Sequence, residues 1–381
     1  IKNRLAMAAL SLVFSPDGYM NPRLHDFYME RAKGGVGLIV MGGCAIDEVG
    51  HSFEMVSLAD DKFLDGLKSF TDDIHTTGAK ICAQLFQNGR YARSGVTKHT
   101  VKGPSPVYST YSNETPEEMT REDIDTVVKS FADAAVRAKK AGFDMVEISA
   151  SAGYLLCQFL SPLTNLRTDE FGGSFENRCR VPVMVIKAVR EAVGADYPVI
   201  IRFSAQENSE GGRGMCESRQ MLRDMEEMGA DAIHLSNGMY GVRSSLGIVA
   251  SFFQHHGWNA DFAAEAKRFL KIPVITVGRV SDPCMAEDII VSGKADFVAM
   301  GRASLADPHW PEKAASGRCN DIRQCIGCLQ GCTASTYQGV PIYCMVNPEL
   351  GHEYELDYSK APAVKKLYIV GAGIAGMEAA R

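Results

Sequence analysis

The chain has 381 residues, 46% hydrophobic and 23% charged, a globular composition with material for a large core. A formal net charge of −6 argues against nucleic acid as the main partner, because phosphate contacts need a basic surface. No run of about 20 apolar residues occurs, which excludes a membrane-spanning helix, and the opening Ile1-Lys2-Asn3-Arg4 is not a signal peptide.

Those first residues read as a chain already entering its first strand, so further N-terminal residues are expected before them. Short apolar, β-branched runs then recur at 5–9, 37–42, 80–86, 145–149, 199–203, 232–236, 274–278 and 297–301. Helical periodicity fills the intervals, at 22–33, 61–77, 121–141, 176–193, 217–228, 261–270, 283–292 and 307–316. Strands that alternate with helices predict a parallel sheet buried on both faces. Eight such units make a closed (β/α)8 barrel, an α/β fold, the simplest architecture; an open doubly wound sheet is the alternative. The long polar loop 94–118, which contains proline, is expected to cover a site.

Barrels of this kind gather their active sites at the C-terminal ends of the strands. That rule singles out Ser11, Cys44, Gln84, Tyr154, Arg202 and the region 236–243. It also singles out Gly278-Arg279 and Gly301-Arg302, which follow the seventh and eighth runs. A glycine there allows close approach and an arginine offers a planar fork, so the two pairs point to phosphate.

Eleven cysteines are many. Seven are scattered, whereas Cys325, Cys328, Cys332 and Cys344 form the pattern C-x2-C-x3-C-x11-C. A disulfide framework suits small secreted domains, so this usage indicates a reducing, cytoplasmic setting and a metal site. The spacing favours a [4Fe–4S] cluster, with structural zinc as the alternative. Residues 366–376 then read Lys-Leu-Tyr-Ile-Val-Gly-Ala-Gly-Ile-Ala-Gly. This is a strand followed by the dinucleotide fingerprint, with Gly371, Gly373 and Gly376 as its glycines. The expected organisation is a barrel over 1–318, a cluster segment and linker over 319–362, and the truncated start of a Rossmann-type domain over 363–381.

Three stretches carry a family resemblance: Gln84-Leu-Phe-Gln-Asn-Gly-Arg-Tyr91, Glu147-Ile-Ser-Ala-Ser-Ala-Gly-Tyr154, and Asn165-Leu-Arg-Thr-Asp-Glu-Phe-Gly-Gly-Ser-Phe-Glu-Asn-Arg178. With the cysteine pattern, they make the chain similar to the iron–sulfur branch of the old yellow enzyme family, which includes 2,4-dienoyl-CoA reductase and 2-enoate reductase. The resemblance implies FMN across the barrel mouth, a [4Fe–4S] cluster, FAD in the full-length chain and NAD(P)H as electron source. By position it implies that Gln84 meets the flavin pyrimidine edge, that Arg202 faces N1 and O2, and that Ser11 lies near O4. It further implies Ala9 and Cys44 against the ring, Gly278, Arg279, Gly301 and Arg302 on the phosphate, and Tyr154 as proton donor.

Departures bear on the substrate. Where relatives carry a polar pair for a carbonyl, this chain has Ser149 and Ala152; where a histidine is frequent, it has Gln87. No histidine follows the sixth run within 236–243, where Tyr240 and Arg243, or His255 and His256 beyond, are substitutes. Arg167 reads either as a substrate contact or as an ion pair with Asp169 or Glu170. The expected reaction is reduction of an activated C=C bond in an enoyl- or dienoyl-CoA, an enoate or a cyclic enone. The alternatives are an amine dehydrogenase of the trimethylamine type, with Tyr91, Tyr240, Phe252, Phe253 and Trp258 as an aromatic bowl, and a non-redox barrel with zinc. The partner is a small molecule; homo-oligomerisation is left open.

Overall fold

The computed structural model describes residues 1–53, 55–240, 248–357, 359 and 362–380. Eight parallel strands close into a barrel: β1 (Leu5–Met7), β2 (Leu38–Ala45), β3 (Lys80–Phe86), β4 (Met145–Ala150), β5 (Val199–Ser204), β6 (Ala232–Ser236), β7 (Val274–Val277) and β8 (Phe297–Met300). Each expected strand is found, with ends shifted by up to three residues. Closure is made by β1 against β8, with Leu5 opposite Val298 and Met7 opposite Met300. Seven helices fall between strands as expected: α1 (Pro22–Lys33), α2 (Leu64–Thr76), α3 (Arg121–Lys140), α4 (Phe175–Val193), α5 (Met215–Glu227), α6 (Ala260–Lys267) and α7 (Pro283–Val291).

Their starts follow local chemistry. Asn21 caps α1 through a 3.0 Å bond from the Leu24 amide, with Pro22 in the first turn. Thr120 and Asp123 close a capping box on α3. The helix expected at 307–316 is found shortened, at Trp310–Ala315, after a separate short helix at Arg302–Ala306. Pro308 explains the break: a residue before proline is pushed out of the helical region, and Asp307 is extended at φ −142°.

Alternation along the strands sorts the core. Outward residues such as Ile39, Ile81, Val146, Ile201 and Ile233 pack under the helices. Inward Ala6, Leu38, Val40, Cys82, Met145 and Ile200 form an apolar plug inside the barrel. On β2 the alternation is broken. Met41 pairs with Ala83 but Cys44 pairs with Leu85, so one residue is bulged out at Gly42-Gly43.

The cysteine segment docks on the barrel mouth. The Ile342 amide bonds the Leu12 carbonyl at 3.1 Å, Thr336 Oγ1 bonds that of Ser11 at 3.0 Å, and Asn347 Nδ2 bonds that of Leu305 at 2.8 Å. The strand expected at 366–370 is not formed, although the helix after it is, at Ile374–Ala380. Tyr368 and Val370 stand almost fully exposed: no neighbouring strand satisfies their backbone or covers their side chains. Among the described residues no helix is long and apolar enough to cross a membrane.

Candidate active site

Above the apolar plug the next inward layer is polar. Gln84 on β3 stands opposite Glu147 on β4, and Arg202 on β5 opposite His234 on β6. Glu147 and His234 are fully buried. Gln84 Nε2 donates to Glu147 Oε1 at 2.6 Å, and His234 Nδ1 lies 2.6 Å from Glu147 Oε2. Arg202 Nη1 is 3.5 and 3.4 Å from the two ring nitrogens of His234, which places the guanidinium over the ring. Burial, and then the Arg202 charge, lowers the His234 pKa, against the raising effect of the Glu147 carboxylate. Burial opposes ionisation of Glu147, but His234, the Arg202 charge and the Gln84 hydrogen bond hold its carboxyl below the ordinary value.

This layer floors a cavity of about 210 Å3 at the C-terminal ends of the strands. Ala9, Ser11, Gln84, Tyr154, Arg202 and Tyr240 all line it. So do Gly278, Arg279, Gly301 and Arg302. Ten of the residues singled out in the sequence thus meet at one site.

Tyr154 is aimed by a tight turn. Gly153 has φ +85°, and a Cβ there would come 2.5 Å from Tyr91 Oη and 2.6 Å from Met239 Cγ, so only glycine fits. The Tyr154 ring rests 4.3 Å from that of Phe86, centroid to centroid. Burial, followed by the neighbouring phenols of Tyr240 and Tyr111, pushes its pKa well above the ordinary tyrosine value. This keeps the phenol protonated.

On the opposite side Gly278 has φ +145°, and a Cβ there would lie 2.7 Å from Trp258 Cδ1. Arg279 is tethered by the Phe252 carbonyl at 3.0 Å and by His256 Nε2 at 3.0 Å. Its pKa is lowered by burial and then by the like charge of Arg302. Arg302 Nη1 is buried without a hydrogen-bond partner among the described residues. Two crowded guanidiniums, one unsatisfied, leave room for an anion.

Two expectations are corrected, for Cys44 and the aromatic bowl, and one of the two readings left open for Arg167 is favoured. Cys44 does not line the cavity: the β2 bulge turns it outward, where its Sγ meets the Met41 carbonyl at 3.7 Å and burial pushes its pKa up to about 12. Gly42 and Gly43 take its place on the cavity wall. A Cβ at Gly43 would come 2.6 Å from Phe86 Cγ. Arg167 is structural, since it is buried, donates to the Pro104 and Met119 carbonyls at 3.1 and 2.7 Å, and pairs with Asp169. Of the proposed aromatic bowl, Tyr240 and Trp258 line the cavity. Tyr91 is instead buried behind it, and Phe252 and Phe253 are exposed. Arg243 lies outside the described residues.

Sequence reasoning missed Glu147, His234, Tyr111 and Tyr337. Tyr111 comes from the long loop and Tyr337 from the cysteine segment; both line the cavity. For the first two a signal existed: a charged residue and a histidine at inward positions of strands otherwise filled with apolar side chains.

Cys325, Cys328, Cys332 and Cys344 all line one small pocket beside Arg302, and Cys325 and Cys332 also border the larger cavity. Gly331 lets the cysteine loop abut the segment leading to Cys344: a Cβ there would sit 2.3 Å from the Tyr343 carbonyl oxygen. Among the described residues no three His, Cys, Asp or Glu side chains converge on a single metal ion. In the tail, a Cβ on Gly376 would fall 1.9 Å from the Gly371 oxygen, the close turn-to-helix approach that the fingerprint requires.

The sequence profile of the NADH:flavin oxidoreductase / NADH oxidase family matches residues 1–321. The chain is 44% identical over 381 residues to a metal reductase of Desulforamulus reducens, with all of this chain and 57% of that protein covered. It is 35% identical over 405 residues to a cinnamate reductase of Clostridium sporogenes, with all of this chain and 61% of that protein covered. The solved structure of 2-naphthoyl-CoA reductase with 2-naphthoyl-CoA superposes with a TM-score of 0.94 at 32% identity, over 99% of this chain and 60% of that one. The chain therefore spans about three fifths of the length of these relatives. With a closed parallel barrel, a polar floor under its mouth and a profile match over most of its length, the chain belongs to the NADH:flavin oxidoreductase / NADH oxidase family.

Proposed function

We propose that this chain is the catalytic portion of a flavin-dependent ene-reductase that reduces an activated C=C bond. The observation that supports this most is the cavity itself. It gathers an amide (Gln84), a cation (Arg202), a neutral phenol (Tyr154) and two glycine–arginine pairs on one wall. FMN fits those residues: the unsatisfied Arg302 Nη1 and the close approach allowed at Gly278 suit its phosphate, and Gln84 and Arg202 its polar ring edge. When bound it would supply the hydride.

The chain's own groups do the rest. Arg202 stabilises negative charge at the cavity floor, a preorganised electrostatic role. Tyr154 holds a proton at its Oη and delivers it to the carbon α to the activating carbonyl. Tyr111, Tyr240 and Tyr337 wall the cavity and exclude water.

The four cysteines share a pocket, and their C-x2-C-x3-C-x11-C spacing suits a [4Fe–4S] cluster better than zinc. Such a cluster would pass single electrons beside the cavity. Gly371, Gly373 and Gly376 suit the phosphates of FAD, through which NAD(P)H would enter.

A second reading, amine oxidation, is favoured by one observation: Tyr111, Tyr240, Tyr337 and Trp258 offer aromatic faces to a cation. The chain loaded with FMN, reduced anaerobically and offered enoyl-CoAs, enoates and enones, decides between them. Rapid flavin reoxidation by one alkene class is the expected result. Inertness to every alkene, with bleaching of the oxidised protein by a tertiary amine, would overturn ene reduction in favour of the second reading.

A further inference from the structure

A carboxylate only accepts hydrogen bonds, so both partners of Glu147 must donate to it. Gln84 does so through its NH2 group and His234 through Nδ1–H. The amide oxygen of Gln84 is then fixed on the side away from Glu147, free to accept at the cavity beside the second N–H of the group. The second consequence concerns Arg202, which makes no ion pair with a carboxylate among the described residues; its recorded neighbour is the His234 ring at 3.4 Å. A direct guanidinium–carboxylate pair would cancel much of the cation's field at the cavity floor. Here the His234 imidazole lies between the two charges. It bonds the anion with its edge and supports the cation with its face.

We infer that Glu147 and His234 are positioning residues: they hold Gln84 as an acceptor and keep Arg202 an unneutralised cation, and so set the electron affinity of the flavin in this cavity. The inference rests on the FMN reading above. It extends to Glu147 and His234, which lie behind Gln84 and Arg202 and do not themselves line the cavity.

The test is a sulfite titration of the FMN-loaded chain, read as bleaching of flavin absorbance, because sulfite affinity follows the positive potential at the flavin. Glu147→Gln removes the counter-charge while preserving shape, and sulfite should bind about tenfold more tightly, the size of one partly screened charge interaction. His234→Ala opens a path for Arg202 to reach Glu147, and sulfite should bind about tenfold more weakly. His234→Asn, which restores an N–H at the Nδ1 position, should return towards wild type. The signs oppose each other, and either variant tests its own sign should the other fail to fold. Unchanged sulfite affinity in variants that only melt earlier, or shifts of the same sign in both, would overturn the inference alone. A wild-type chain that binds no FMN would overturn the functional reading with it.

Discussion

The two sides of the cavity floor follow opposite electrostatic plans. On the β3–β6 side the buried polar groups answer one another, Gln84 to Glu147 to His234 to Arg202, with contacts of 2.6 to 3.5 Å. On the β7–β8 side Arg279 and Arg302 crowd each other, and Arg302 Nη1 has no partner. The difference separates a charge that organises the protein from one that awaits a ligand. Breaking the first kind should cost stability. Removing the second should cost binding and spare the fold.

The largest effect concerns the proton donor above the paired side. Tyr154→Phe should lower turnover by about 10²- to 10⁴-fold with little change in substrate affinity. Because its pKa lies well above the ordinary tyrosine value, the wild-type proton-transfer step should show no alkaline loss as pH rises through about 10. Stopped-flow reoxidation of the reduced flavin measures both. Glu147→Ala comes next: it leaves buried donors unanswered and should destabilise the chain by about 3–5 kcal/mol in denaturant unfolding. Arg302→Met provides the contrast. FMN affinity should fall by about 10- to 100-fold, the value of hydrogen bonds to a charged group, while the FMN-free chain melts at a higher temperature than wild type. A fall in both would erase the distinction between the sides. Smallest are two neighbours on β2. Gly43→Ala should cost about 1–3 kcal/mol through the clash with Phe86 and weaken FMN binding. Cys44→Ala should cost about 1 kcal/mol and leave FMN affinity unchanged, since that side chain points away from the cavity.

Much of the barrel was legible because its signals are local. A run such as 199–203 followed by the helical pattern of 217–228 states strand and helix within a few residues. The ten cavity residues were legible for a similar reason: strand ends in a parallel barrel all point to one mouth. Cys44 was misplaced because a single bulged residue upstream inverts every later side chain on the strand. Arg167 left two readings open, and only its burial against the Pro104 and Met119 carbonyls made it structural.

By itself the sequence determined the eight alternating units, the two glycine–arginine pairs after the last two strands, the spacing of the four cysteines and the glycine fingerprint, all properties of short segments. Tertiary structure alone decided the rest. It joined Gln84 to Glu147 across 63 residues and Glu147 to His234 across 87, and brought Tyr111 and Tyr337 to the same wall. The physical reason is register: a side chain's face follows from its own strand, but its partner follows from how separate strands align.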